Sequence, residues 1–133
     1  MAGNENIKRF AQKILGCDCP EEVFNVIECS TSDSGKEPYT RRIAIGGRLL
    51  IFILETDDLS LVRANLLKML AAGKAERDQK GMNRFRCVIA TDHVESVDLL
   101  SQEIFEQFSG KDEKIHLHVV QKEDVAGIRS ECL

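Results

Sequence analysis

A chain of 133 residues, 43% of them hydrophobic and 30% charged, is long enough to bury a core without disulfides or metal, which excludes a disordered segment or a cysteine-stapled miniprotein. A net charge of −4 gives nucleic-acid binding no global support, because phosphate attraction needs an excess of clustered Lys and Arg. The longest apolar run, Leu49 to Leu54, is far short of the roughly 20 residues of a membrane span.

Met-Ala-Gly-Asn-Glu-Asn at the start lacks the basic and apolar regions of a secretory signal. A cytoplasmic location is the expectation, and there the five cysteines, Cys17, Cys19, Cys29, Cys87 and Cys132, read as thiols.

Ile7, Phe10, Ala11, Ile14 and Leu15 recur at the spacing of one helix face, with Asn4 as a cap and Gly16 as the stop. Cys19, Pro20, Glu21 and Glu22 then start a second, brief helix, since Pro is tolerated at the first helical position and carboxylates suit the positive end of the dipole. Val26 to Thr31 reads as a strand, and Ser32 to Pro38 as a loop rich in turn formers. The strands Arg41 to Ile45 and Arg48 to Glu55 flank Gly46-Gly47, a junction that permits the positive φ angles of a tight hairpin. The second of them does not alternate, so it is expected to be buried on both faces.

Thr56, Asp57 and Asp58 supply a helix start, and Leu59, Val62, Leu66, Met69 and Leu70 keep helical spacing as far as Gly73. Lys74 to Asn83 is charged, either a solvated extension of that helix or a loop. Phe85 to Thr91 is a strand, Asp92-x-x-Glu95 a variant capping box, and Val94, Val97, Leu100, Ile104, Phe105 and Phe108 the stripe of a helix closed by Gly110. Ile115 to Val120 is the last strand, and residues 122–133 are expected to form a flexible C-terminal tail. The whole predicts one α/β domain over residues 1–133: a five-stranded mixed sheet, an antiparallel meander continued by parallel strands, with about three helices packed on it.

Two cysteines flank one residue in Cys17-Asp18-Cys19. Such a pair can share a metal or interconvert with a disulfide, although three nearby carboxylates, Asp18, Glu21 and Glu22, oppose a thiolate and C-x-C is not the C-x-x-C spacing of zinc ribbons or thioredoxin-like motifs. His116 and His118 fall on one face of the last strand, where alternation accounts for them as half-exposed polar residues. The carboxyl ends of parallel strands, where open α/β sheets build ligand sites, would gather Glu55-Thr56-Asp57-Asp58, Thr91-Asp92-His93 and Gln121 to Asp124, though helix capping explains most of that acidity. Phosphate-loop, dinucleotide, nucleophile-elbow and zinc-helix motifs are absent.

The order helix, three-stranded meander, helix, strand resembles the core of restriction-endonuclease-like folds. That resemblance would imply an acidic-x-Lys motif on the central hairpin, which Ile43-Ala44-Ile45-Gly46-Gly47-Arg48-Leu49-Leu50 does not contain. Ile51 to Leu70, with Asp57-Asp58 before Arg63-Ala64-Asn65, looks like the hairpin and helix of the small dimerising subunit of the KEOPS tRNA-modifying complex, but the segments on either side depart from it. No family is assigned. The expected function is a noncatalytic binding or assembly domain that forms a homodimer or meets a protein partner, with thiol-based metal or redox handling through Cys17 and Cys19 as the alternative; the catalytic residues and cofactors are unknown.

Overall fold

The computed structural model describes residues 5–17, 19–32 and 37–128. Five strands form one mixed sheet in chain order: β1 (Ile27–Thr31), β2 (Arg41–Ile45), β3 (Leu49–Glu55), β4 (Arg84–Thr91) and β5 (Ile115–Gln121). β1, β2 and β3 are antiparallel neighbours, while β3, β4 and β5 run parallel, as a meander followed by helical crossovers requires. Gly46 and Gly47 turn the β2–β3 hairpin at φ 60° and 66°, a conformation in which a side chain would be strained.

Three helices cover the sheet. α1 (Glu5–Arg9) continues into a π-helical stretch, Phe10–Ile14, whose Ile7, Phe10, Ala11 and Leu15 join Ile43, Ile45, Ile51, Ile53, Val88 and Ala90 in a core on one face. α2 (Leu59–Lys80) and α3 (Val94–Gln107) bury the other face through Val62, Leu66, Met69, Leu70 and Val97 against Leu50, Phe52, Phe85 and Ile89. β3 and β4 therefore lie between two cores, which explains why neither alternates.

Some details depart from the sequence reading. α2 does not stop at Gly73 but runs to Lys80, where Gly81 at φ 68° ends it. Its charged last turns are tied down: the Arg42 guanidinium of β2 donates to Glu76 through Nε at 2.9 Å, and Arg77 grips Asp112 in a bidentate pair at 2.7 and 3.0 Å. The Asp92-x-x-Glu95 capping box does not form, since the N-cap of α3 is His93, with no side-chain cap hydrogen bond. The segment expected to be a loose tail starts as a 3-10 turn, Lys122–Asp124, after which Val125 and Ile128 are buried in the first core at 0% and 1% exposure. These two apolar side chains give the chain a reason to fold back. Asn4, most of the Ser32 to Pro38 loop, Asp18 and Cys132 lie outside the described residues.

Gly73 is required by contact rather than by dihedral angle. A Cβ there would enter the Phe85 ring, which is itself fixed edge-on to Phe52 with centroids 5.1 Å apart. Helix propensity favours Ala over Gly by about 1 kcal/mol, whereas overpacking costs about 1–3 kcal/mol, so the steric term wins. Gly73→Ala is expected to lower the midpoint of chemical denaturation; a midpoint that rises would show that Phe85 has room to move.

Candidate functional site

The carboxyl ends of the parallel strands do bring the predicted residues together, and the contacts consume them. Asp57 accepts from Thr91 Oγ1 and from the Asp92 backbone N–H through one oxygen, both at 2.8 Å, and from Lys122 Nζ through the other at 2.8 Å. The Lys122 hydrogen bond, helped by those of Asp92 and Thr91, holds the Asp57 carboxyl well below the usual carboxylate range. Asp57 thus clamps together the ends of β3 and β4 and the C-terminal turn. Thr56 and Asp58 are also engaged: Thr56 Oγ1 accepts from Asp58 N–H at 3.0 Å, and Asp58 caps α2 by accepting from Ser60 N–H at 2.9 Å. A carboxylate held in its charged form by three donors is poorly placed to act as a general acid or base.

The opposite end of the sheet is different. The Arg48 carbonyl accepts from the backbone N–H groups of both Asn83 and Arg84, at 2.8 and 3.0 Å, which stitches the β2–β3 turn to the head of β4. Side chains two apart on a strand share a face, so Arg84 and Arg86 point to the α1 side with Val88 and Ala90, while Phe85 and Cys87 enter the other core. After α1, Gly16 at φ 69° reverses the chain and Cys17 N–H donates to the Ala11 carbonyl at 2.8 Å. This turn lays Cys17 and Cys19, both half-buried, against the same layer.

The result is a cavity of about 110 Å³ lined by Cys17, Cys19, Pro20, Arg48, Leu49, Asn83, Arg84 and Arg86. That is space for several waters or one small anion. Three of its lining residues are arginines, and none of the described ones is a carboxylate. A wider groove of about 460 Å³ over α1 is lined by both signs of charge, and its Lys8 already pairs with Glu21.

Arg86 sets this cavity apart. It is 5% exposed, its Nε is buried without a hydrogen-bond partner, and no ion pair reaches it among the described residues. Arg42 and Arg77, two other arginines that bridge elements, both hold carboxylates. Burial, with Arg84 adding to it, lowers the Arg86 pKa. Its field reaches β5, where His116 and His118 pair in register with Arg86 and Val88. His116 Nδ1 and His118 Nε2 are buried without partners. Burial first, then the charge of Arg86, pushes His118 down to about 4, and His116 shifts the same way. Both imidazoles are half-buried, in keeping with the half-exposed alternation read from the strand, and the lowered pKa of each favours the neutral form at pH 7.

Cys17 and Cys19 are joined as a disulfide with Cα atoms 5.3 Å apart, inside the range that such a bond spans. Cys29 is disulfide-bonded too, while Cys87 is a free thiol in the core whose pKa is raised by burial. Among the described residues no group of three His, Cys, Asp or Glu side chains is placed to hold a metal, and no helix is long and apolar enough to cross a membrane. The arginines of this cavity were not singled out from the sequence. The available signal was Arg84-x-Arg86 at the head of a strand otherwise apolar on both faces, where a charge is out of place.

Compared with protein families, curated proteins and solved structures, the chain matches none.

The His118 shift gives a stability signature. An unfolded histidine binds its proton near pH 6.5, whereas the folded His118 does so near 4. Between those values the unfolded chain holds the extra proton, so stability falls as pH drops through that window and this contribution levels off below it. His118→Gln is expected to flatten that part of the unfolding free energy measured from pH 7 to 4. Parallel curves for variant and wild type would place His118 in solvent.

Proposed function

We propose that this domain binds a small oxyanion in the cavity formed by Arg48, Arg84 and Arg86. Buried charges in folded proteins are ordinarily paired, because desolvation of an isolated ion costs several kcal/mol. The observation that carries the reading is Arg86, buried and without an ion-pair partner among the described residues, on the wall of a cavity that can admit a counterion. Guanidinium groups present forked donors that match the geometry of phosphate and carboxylate. The cavity volume favours a free anion or a small molecule with one anionic group, and the net charge of −4 disfavours a nucleic-acid backbone as its source. This is a binding role, with no catalytic step required.

Calorimetric titration with inorganic phosphate and with sulfate, at constant ionic strength in chloride, is expected to show one saturable site. A hydrogen bond to a charged group contributes about 1.5–3 kcal/mol, so Arg86→Met should weaken binding about tenfold or more. A short oligonucleotide at equal phosphate concentration should not compete. Absence of saturable binding to either anion, or equal binding by Arg86→Met, would refute the reading.

Assembly is a separate matter. β5 is an outer strand of the sheet, and Ile115 to Val120 carries neither Lys nor Pro to blunt its edge, so strand pairing between two copies is open to it. A homodimer is the expected state in sedimentation at high micromolar concentration, and a clean monomer would contradict it.

A further inference from the structure

Cys17 and Cys19 share the cavity wall with Arg48, Arg84 and Arg86, and this juxtaposition has chemical consequences. A thiolate, not a thiol, attacks sulfur, and neighbouring guanidinium groups favour it. The sequence objection was the acidity around the pair. In the structure Glu21 turns away to Lys8 on another surface, and Glu22 does not line the cavity. The described charge beside the two sulfurs is therefore positive. Their Cα separation of 5.3 Å also lets the sulfurs bond to each other without moving the backbone.

We propose that the reduced Cys17/Cys19 pair exchanges with low-molecular-weight disulfides bearing a carboxylate, sulfonate or phosphate, which the arginines hold by that anionic group. The inference rests on the anion-binding reading and names its substrate class. One cysteine thiolate attacks a sulfur of the ligand disulfide, forming a protein–ligand mixed disulfide and releasing the first ligand thiolate. The second cysteine thiolate attacks the protein sulfur of that bond, closing the Cys17–Cys19 disulfide and releasing the second. Two protein thiols are oxidised to one disulfide and one ligand disulfide is reduced to two thiols. The two protons that leave the cysteines are taken up by the products or by solvent. Cys87 takes no part, since burial removes it from attack and holds it as a thiol.

The test uses the fully reduced full-length chain and two alkyl disulfides of similar length, dithiodipropionate as the dianion and cystamine as the dication, at fixed ionic strength. A chain with both Cys17→Ser and Cys19→Ser supplies the background from the remaining cysteines. Above that background the dianion should react at least about ten times faster, the lower end of what electrostatic steering delivers. Two ligand thiols should be released for each Cys17–Cys19 disulfide found by peptide mass analysis, and Cys19→Ser should stop at the mixed disulfide. Inorganic phosphate should slow the dianion and not the dication. Arg86→Met should collapse the preference, and the exposed Arg84→Gln, which carries less folding risk, should reduce it. No charge preference, an unchanged preference in both arginine variants, or adducts that never resolve to the Cys17–Cys19 bond would each overturn the proposal. If phosphate still binds calorimetrically in that case, only the thiol chemistry is wrong; if phosphate does not bind, the anion site itself falls.

Discussion

β3 and β4 are covered on both faces, and every residue from Leu49 to Leu54 and from Phe85 to Thr91 is buried. Everything on those strands must be apolar, paired, or stationed beside a cavity. The strands meet that condition with Leu, Ile, Phe, Val, Ala and Cys, and with Thr91 hydrogen-bonded to Asp57; Arg86 stands instead beside the cavity. A guanidinium in such a place is unfavourable unless something supplies negative charge or retains water around it. Burial, and after it the charge of Arg86, lowers the pKa of both His116 and His118 on β5, which disfavours a second positive charge there.

The two ends of the parallel strands divide the charge of the domain. At the carboxyl ends Lys122 pairs with both Asp57 and Asp92, and Asp57 also accepts from Thr91, so that end fastens the chain. At the amino ends three arginines face a cavity without a described carboxylate. Ligand sites of open α/β sheets more often occupy the carboxyl ends, so the proposed anion site departs from that pattern. The departure has a local cause: the Arg48 carbonyl holds the head of β4, and the turn after α1 places the cysteines above it.

The elements whose signals are local could be read directly from the sequence. Gly46-Gly47 announced the hairpin, the unbroken Leu49 to Leu54 run announced a strand between two layers, and helical stripes placed α2 and α3. Signals that depend on distant partners could not. Gly73 resembles a helix stop until the Phe85 ring is seen to occupy the space of its Cβ, and Glu76 and Arg77 look solvated until Arg42 and Asp112 are placed opposite them. Cys17 and Cys19 were legible as a pair, but the arginines that give them a chemical setting come from a turn and a strand more than 25 residues further along the chain. Asp57 and Asp92 suggested a site because proximity can be read from topology, whereas saturation by Thr91 and Lys122 cannot.

A buried cation awaiting an anion and an arginine that merely braces the fold differ in energetic sign, and Arg86 can be assigned to one or the other by that sign. Unfolding free energies of the wild type and of Arg86→Met should be compared in chloride buffer free of multivalent anions, and again with saturating phosphate. Met keeps most of the apolar stem and removes the charge, so the variant is predicted to be the more stable of the two in chloride, and phosphate is predicted to stabilise only the wild type. A variant less stable than wild type in chloride, with no phosphate increment in either protein, would show that Arg86 is already satisfied within the fold and would contradict the account.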